Sequence, residues 1–181
     1  INKNEIGKPL NILSQCGQHI KLWRPHLNYK DHYILKKGGG IILDDSHEYD
    51  YIRWILNDKV ESVVCFTKKS KSIKTNTESL ASIMLKFKKG STATLVIDYL
   101  RPKYERNCQI IGENGSIKWN LEVEKGASKN YSAKIKSKIE THVLKTNQVS
   151  KETLVNKQNS MYIEEMKDFV DSIRYNKKPY V

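Results

Sequence analysis

A succession of short apolar segments separated by turn residues is the feature of this sequence that most restricts its fold. Apolar residues alternate with polar ones, or run together, over residues 60–67, 80–87, 92–99, 107–111 and 116–121. Lys89-Gly90 and Glu113-Asn114-Gly115 separate the later segments. Alternation with a period of two puts every second side chain on one face of a strand, and glycine-containing turns join strands into hairpins. The pattern therefore predicts an antiparallel meander.

Two helices and an opening strand complete the prediction. Residues 10–16 alternate after Gly7-Lys8-Pro9 and predict a strand. Apolar residues at helical spacing predict one helix from near Ser46 to Asn57 and a closing helix over residues 161–173. Residues 124–157 show only short strand-like pieces around Ile135 and 142–144, so their structure is left open.

This order of elements favours an α+β fold, with helices on one face of a mostly antiparallel, open-faced β-sheet. The apolar side chains on the opposite face of such a sheet must also be buried. We expect a homo-oligomer, a dimer or tetramer, that packs sheet against sheet.

Composition narrows the classes of protein. The 181 residues form one domain without a membrane-spanning apolar run or a secretory signal, and the first residue is Ile, so we expect a fragment. Three widely spaced cysteines, Cys16, Cys65 and Cys108, fit a reducing cytoplasm. The net charge of +12 leaves open a basic module that binds nucleic acid or an anionic glycan. Because the lysines are scattered and lack interleaved aromatic residues, a solvated surface is the favoured interpretation.

The segment 17–37 is polar and rich in aromatic and histidine residues, which is typical of a binding loop. It predicts a wall of a substrate pocket. Gly38-Gly39-Gly40 follows, leading into the apolar run Ile41-Ile42-Leu43. These glycines lack the G-x-G-x-x-G spacing of a dinucleotide site, so they are interpreted as a bend or a close backbone approach.

His47 is the strongest candidate for chemistry, because the predicted helix begins beside it. Free amides and the helix dipole lower the proton affinity of an imidazole there, as a general base or acid requires. Asp44 or Asp45 could orient it. The alternative is a helix cap in which Asp44, Asp45 or Ser46 bonds the first amides and His47 only packs.

Other chemistries have weaker support. No G-x-S-x-G motif is present, and the cysteines show no recognisable pattern of a nucleophile with a histidine partner, so nucleophilic hydrolysis has weak support. His47-Glu48 lacks the second histidine of a zinc-protease helix, since position 51 is Tyr51, and we expect no metal.

The chain resembles the Gfo/Idh/MocA family of glucose-fructose oxidoreductase, inositol dehydrogenase and MocA-like proteins. The resemblance rests on Gly17-Gln18-His19 with Trp23-Arg24-Pro25 and Tyr29, on Gly38 to Tyr51 with Trp54, on Ile110 to Trp119, and on Met161 to Phe169. The second of these stretches is similar to a family signature of glycines, an apolar strand, Asp, His and a further Asp.

The resemblance implies a dihydrodipicolinate-reductase-like C-terminal domain over residues 1–181, which binds substrate, catalyses and dimerises. An N-terminal Rossmann domain, missing here, would bind NAD or NADP and supply a Lys from an E-K-P motif. His47 would take the hydroxyl proton of a carbohydrate substrate, and Asp44 would assist it. By position, substrate contacts map onto Trp23, Arg24, His26, Tyr29 and Lys36. The fragment alone is expected to be inactive, and a non-catalytic dimerisation scaffold remains an alternative.

Overall fold

The computed structural model describes residues 5–23, 28–31, 39–123, 134–157 and 159–179. Within them, eight strands and four helices follow one another. The strands are β1 (Pro9–Gly17), β2 (Val60–Lys68), β3 (Leu80–Phe87), β4 (Thr92–Asp98), β5 (Glu105–Gly112), β6 (Gly115–Val123), β7 (Lys134–Val143) and β8 (Gln148–Lys157). The helices are α1 (Ile20–Trp23), α2 (Ile41–Asp44), α3 (His47–Leu56) and α4 (Ser160–Arg174), with a 3-10 turn at Tyr29–Asp31.

The eight strands form one sheet in the order β2-β3-β4-β1-β5-β6-β7-β8. Every neighbouring pair is antiparallel except β1 and β4, which run parallel. The opening strand therefore inserts into the middle of the meander and joins its two halves. The predicted α+β architecture is confirmed.

One face of the sheet carries the core. Alternate residues of the central strands are buried on this covered face, as the period-two pattern predicts. They include Ile12, Ala81, Ile83, Leu85, Phe87, Ala93, Leu95, Ile97 and Ile110. Ile41 of α2 and Ile52 of α3 are fully buried against them. The two short helices are thus fixed to the sheet by their apolar side chains.

The segment Ile41-Ile42-Leu43 differs from the expectation of a strand, since residues 41–44 form a helical turn. Asp44 N–H donates to Gly40 O at 3.0 Å, and Asp45 N–H to Ile41 O at 3.0 Å. Glu78, from the loop before β3, anchors the start of this turn. Its backbone carbonyl accepts from Ile41 N–H at 3.3 Å, and its Oε1 from Ile42 N–H at 3.2 Å. A partner distant in sequence therefore decides the conformation.

Residues 134–157, for which the sequence predicted no definite structure, form the hairpin β7–β8. Asn147 adopts the left-handed conformation in the turn between the two strands. Every residue of β8 is exposed. The strand-like pieces at Ile135 and at His142 and Val143 both belong to β7.

The opposite, open face of the sheet has exposed apolar side chains at one end and charged ones at the other. Leu13, Val64, Phe66 and Met84 are exposed. The register pairs Met84 with Val64 and with Thr94, and Thr94 with Leu13, so these side chains share a face. Lys118, Lys136 and Lys138 lie on the same face of β6 and β7. The longest described helix, α4, has 15 residues, and no described helix combines the length and apolarity of a membrane span.

Candidate active site

His47 is the first residue of α3, where the sequence predicted it, and its side chain is 52% exposed. The capping alternative is not what the structure shows at Ser46, whose side chain forms no cap hydrogen bond. Backbone carbonyls serve instead, with Glu48 N–H donating to Asp45 O at 2.9 Å and Asp50 N–H to Ser46 O at 3.2 Å. The imidazole thus sits beside a helix N-terminus and remains accessible from solvent.

A buried carboxylate lies against this imidazole. The Glu48 side chain is fully buried, and its Oε1 lies 3.3 Å from His47 Nε2 and 2.7 Å from Arg106 Nε. Its Oε2 accepts a hydrogen bond from Ser14 Oγ at 3.2 Å, and Ser14 Oγ lies 2.6 Å from Tyr51 Oη. One carboxylate therefore joins α3 to β1 and β5.

Arg106 is enclosed by aromatic rings as well as paired. Its guanidinium carbon lies 5.8 Å from the ring centroid of Tyr51 and 5.6 Å from that of Trp119. Guanidinium groups stack favourably on such faces when desolvated. Although burial raises the pKa of Glu48, the contact with His47 and the Arg106 charge lower it below its usual value. Glu48 is therefore a carboxylate at neutral pH.

Two further acidic groups of this cluster are shifted in the other direction. Burial, reinforced by the negative charge of Glu48 and Asp44 and opposed by His47, raises the pKa of Asp45 to about 6. Burial together with Asp45 and Glu48 raises the pKa of the Cys16 thiol far above its usual value. Cys16 is thus a protonated thiol and a poor nucleophile.

Cys16, His47 and Glu48 each place one potential metal-ligand atom within 4.8 Å of the others. The Arg106 guanidinium already supplies positive charge to the same Glu48 oxygen at 2.7 Å. A divalent cation at this point would be repelled by that guanidinium, so we interpret the cluster as a hydrogen-bonded polar network.

The glycines before α2 do not fit the pyrophosphate of a dinucleotide. Gly40 has φ of 119°, and a Cβ there would clash with the Glu78 carboxylate. That carboxylate already accepts from the Ile42 amide. A negative side chain therefore occupies the position that a phosphate would need.

The predicted substrate-contact residues are only partly within the described chain. Trp23 packs edge-on against the buried Tyr99, with ring centroids 5.4 Å apart, and Tyr29 has Lys21 Nζ 5.5 Å from its ring centroid. Both are half-buried against the core. Arg24, His26 and Lys36 lie outside the described residues. Asp44 ends α2, three residues before His47.

Sequence reasoning missed the functional setting of Glu48 and Arg106. Adjacent residues on a helix point in different directions, so a contact between positions 47 and 48 is not expected from spacing. Arg106 precedes a strand pattern that begins, by sequence, only at Asn107. The one available signal was an acidic residue beside the candidate base.

Comparisons with known proteins agree with this architecture. The GFO/IDH/MocA C-terminal domain family matches residues 1–118, and the chain belongs to that family of oxidoreductase domains. The fold is similar to an aldose-aldose oxidoreductase from Caulobacter crescentus complexed with glycerol (TM-score 0.71, 14% identity, 98% of this chain and 49% of that one). It is also similar to the UDP-N-acetylglucosamine 3-dehydrogenase of Acidithiobacillus ferrooxidans (TM-score 0.68, 12% identity, 96% and 47%).

A third similar structure is an oxidoreductase from Agrobacterium radiobacter in complex with NAD+, L-tartaric acid and magnesium (TM-score 0.69, 16% identity, 97% of this chain and 50% of that one). This chain therefore spans about half the length of the solved proteins it resembles. At these identities the likeness defines the fold, and what the whole proteins bind or convert is a separate question.

Proposed function

We propose that this chain is the substrate-binding and catalytic half of an NAD(P)-dependent dehydrogenase. Its substrate would carry a CH–OH group on a sugar, amino sugar, sugar nucleotide or cyclitol. The observation that carries the proposal is the accessible imidazole of His47 at a helix N-terminus, backed by a buried ionised network, in a member of this family. The names of the similar proteins, which include a UDP-sugar dehydrogenase and an NAD+ complex, support the class of substrate and cofactor.

The residues of this chain handle the proton. His47 accepts the proton of the substrate hydroxyl while the C–H bond breaks and its electron pair leaves as hydride. The alcohol is thereby oxidised to a carbonyl, and the nicotinamide, when bound, accepts the hydride. Asp44 assists or orients His47, and Trp23 and Tyr29 form part of the pocket wall. General acid–base catalysis of this kind contributes about 10²–10⁴-fold to rate.

The cofactor would be held chiefly by a Rossmann domain elsewhere in the full-length protein. The described glycine segment is occupied by Glu78, and the proposal assigns this chain to the substrate side of the reaction. The isolated chain would then be inactive. Free Cys16, Cys65 and Cys108 favour a cytoplasmic setting.

The open face of the sheet would be covered by a second copy of the chain. Leu13, Val64, Phe66 and Met84 form its exposed apolar end, and contiguous apolar patches of this kind mark interaction sites. The domain would thus build a homo-oligomer as well as a catalytic pocket. A scaffold without catalysis would show the same assembly but no dependence of turnover on His47.

The test uses the full-length protein with NAD+ or NADP+ and a panel of glucose, UDP-N-acetylglucosamine and myo-inositol, followed by nicotinamide absorbance. We expect His47→Ala to lower kcat by about 10²-fold or more while cofactor binding is kept. The matched control is His142→Ala, because His142 lies exposed on β7 and pairs with Glu140, outside the proposed site. Unchanged turnover in His47→Ala would remove His47 as the base, and no turnover of any panel member by the wild type would count against the proposed substrate class.

The structure gives little support to the alternative function of a basic binding module. Lys138 pairs with Glu122 at 2.6 Å and Lys151 with Glu140 at 3.0 Å, so part of the positive charge at the β6–β8 end is compensated. Nucleic-acid binding would appear as salt-dependent retention of generic DNA or RNA. We expect no such binding at low salt.

A further inference from the structure

We propose that Glu48 is a positioning residue for His47: its carboxylate fixes the imidazole and stabilises the imidazolium that forms when the substrate gives up its proton. The inference rests on the proposed function of His47 as the acid–base group. It adds a residue to that site, and it assigns to Arg106 the role of holding the carboxylate in place.

The geometry leaves Glu48 little freedom. Its Oε1 is 2.7 Å from Arg106 Nε on β5, and its Oε2 accepts from Ser14 Oγ on β1. Rotating the carboxylate away from His47 would leave a buried guanidinium without its paired negative charge and a buried hydroxyl without its acceptor, which is costly. The oxygen that contacts His47 Nε2 at 3.3 Å is therefore held from two strands.

The contact supplies charge next to the ring. A carboxylate held 3.3 Å from His47 Nε2 stabilises the positive charge that the imidazole gains with the substrate proton.

The charges around His47 come from each element packed near it. The α2–α3 connection contributes Asp45 and, beside it, Asp44; β1 contributes the neutral thiol of Cys16; β5 contributes Arg106 behind Glu48. Glu48 contacts the His47 ring directly, with its Oε1 3.3 Å from Nε2, so its replacement removes a negative charge next to the ring.

A purely structural role for Glu48 makes a different prediction. The Glu48–Arg106 pair joins α3 to β5, and its loss would destabilise the fold whether or not His47 is affected. Stability alone therefore does not test the inference. The protonation of the His47 ring does, because a structural tie would not change it in a variant that still folds.

The experiment follows the His47 ring by NMR titration in the full-length protein labelled at histidine, with the resonance assigned from the His47→Ala spectrum. Glu48→Gln keeps the shape of the side chain and removes its charge. We expect the pH dependence of the His47 ring signals to change in this variant, because the charge 3.3 Å from Nε2 has been removed. Glu105→Gln is the matched control, since Glu105 also pairs with an arginine, Arg101 of the β4–β5 connection, at 3.0 Å and lies outside the His47 contact. The control should titrate like the wild type.

The double variant Glu48→Gln with Arg106→Gln covers the case in which Glu48→Gln alone fails to fold. Removing both charges avoids an unpaired buried guanidinium, so the double variant should fold better than the single one. It should show the same change in the pH dependence of the His47 ring signals. In the oxidation direction, both variants should lower kcat by about tenfold to a hundredfold with KM changed less than about threefold.

An unchanged pH dependence of the His47 ring signals in a folded variant overturns the inference, whatever the activity. The titration needs no substrate, so it is independent of the proposed function. If His47→Ala keeps full turnover, the proposed function fails. If His47→Ala loses turnover while Glu48→Gln keeps the wild-type pH dependence and kcat, only the role of Glu48 fails.

Discussion

The two faces of the sheet differ in how far their apolar side chains are buried. On the covered face, Phe87 is fully buried beneath residues of the same chain, whereas Phe66 on the open face is 71% exposed. Both residues come from neighbouring strands and follow the same alternation. The covered face is therefore completed within the chain and positions His47, while the described residues leave the apolar end of the open face exposed.

The largest difference between the two faces should appear in a matched pair of truncations. Phe87→Ala removes a ring from a packed core and should lower the free energy of unfolding by about 3–5 kcal/mol. Phe66→Ala should cost less than about 0.5 kcal/mol in the monomer, because the ring is already hydrated. Urea denaturation at low protein concentration measures both values. Equal losses would contradict the assignment of the two faces.

The covered face should also show a pH dependence that Asp45 causes. The pKa of Asp45 is about 6 in the folded chain against an ordinary value of 3.8, so between these values the folded state binds more protons than the unfolded state. This contribution to stability is complete below the ordinary value and is lost as pH rises through about 6, by about 1–3 kcal/mol in all.

Asp45→Asn should remove that loss, so its stability relative to the wild type should improve between about pH 4 and about pH 8. The control is Asp50→Asn, since Asp50 is an exposed acidic residue of the following helix, α3. Chemical denaturation across the pH range gives the comparison. A parallel stability curve for wild type and Asp45→Asn would show that Asp45 does not titrate in this window.

The open face is tested by self-association of the full-length protein. Phe66→Lys places a charge in the apolar patch and should weaken association by about tenfold or more, which is about 1.4 kcal/mol. Lys136→Ala, at the charged end of the same face, should leave association unchanged. Sedimentation measurements over a range of concentrations separate these outcomes. An unchanged association constant for Phe66→Lys would move the interface away from this end of the face.

The smallest effect is expected at a surface ion pair near the open face. Lys86 Nζ lies 2.9 Å from Glu61 Oε2, with both side chains about half exposed. Exposed pairs contribute about 0–1 kcal/mol, so Glu61→Gln should change the free energy of unfolding by less than about 0.5 kcal/mol at moderate salt. A loss of more than twice that value would mean that the edge strand β2 depends on this pair.

The sequence predicted correctly those strands and helices whose pattern lies within one short stretch of chain. The strands β3 and β4 follow from alternation, because the sheet buries every second side chain and selects apolar residues there. The start of α3 at His47 follows from helical spacing after Ser46. The hairpin β7–β8 was not predicted, because β8 is exposed throughout and the lysine-rich β7 buries few apolar side chains. Its pairing comes from backbone hydrogen bonds to β6, which leave little trace in composition.

The sequence by itself determined the fold class, the covered face and the position of His47, since each depends on spacing along a short stretch of chain. Only the tertiary structure decided that residues 41–44 form a helical turn, because the anchoring Glu78 comes from a distant loop. It also decided that Glu48 lies against His47. That contact requires Ser14 and Arg106 from two other strands, and a partner brought in by folding leaves no periodic signal in the sequence.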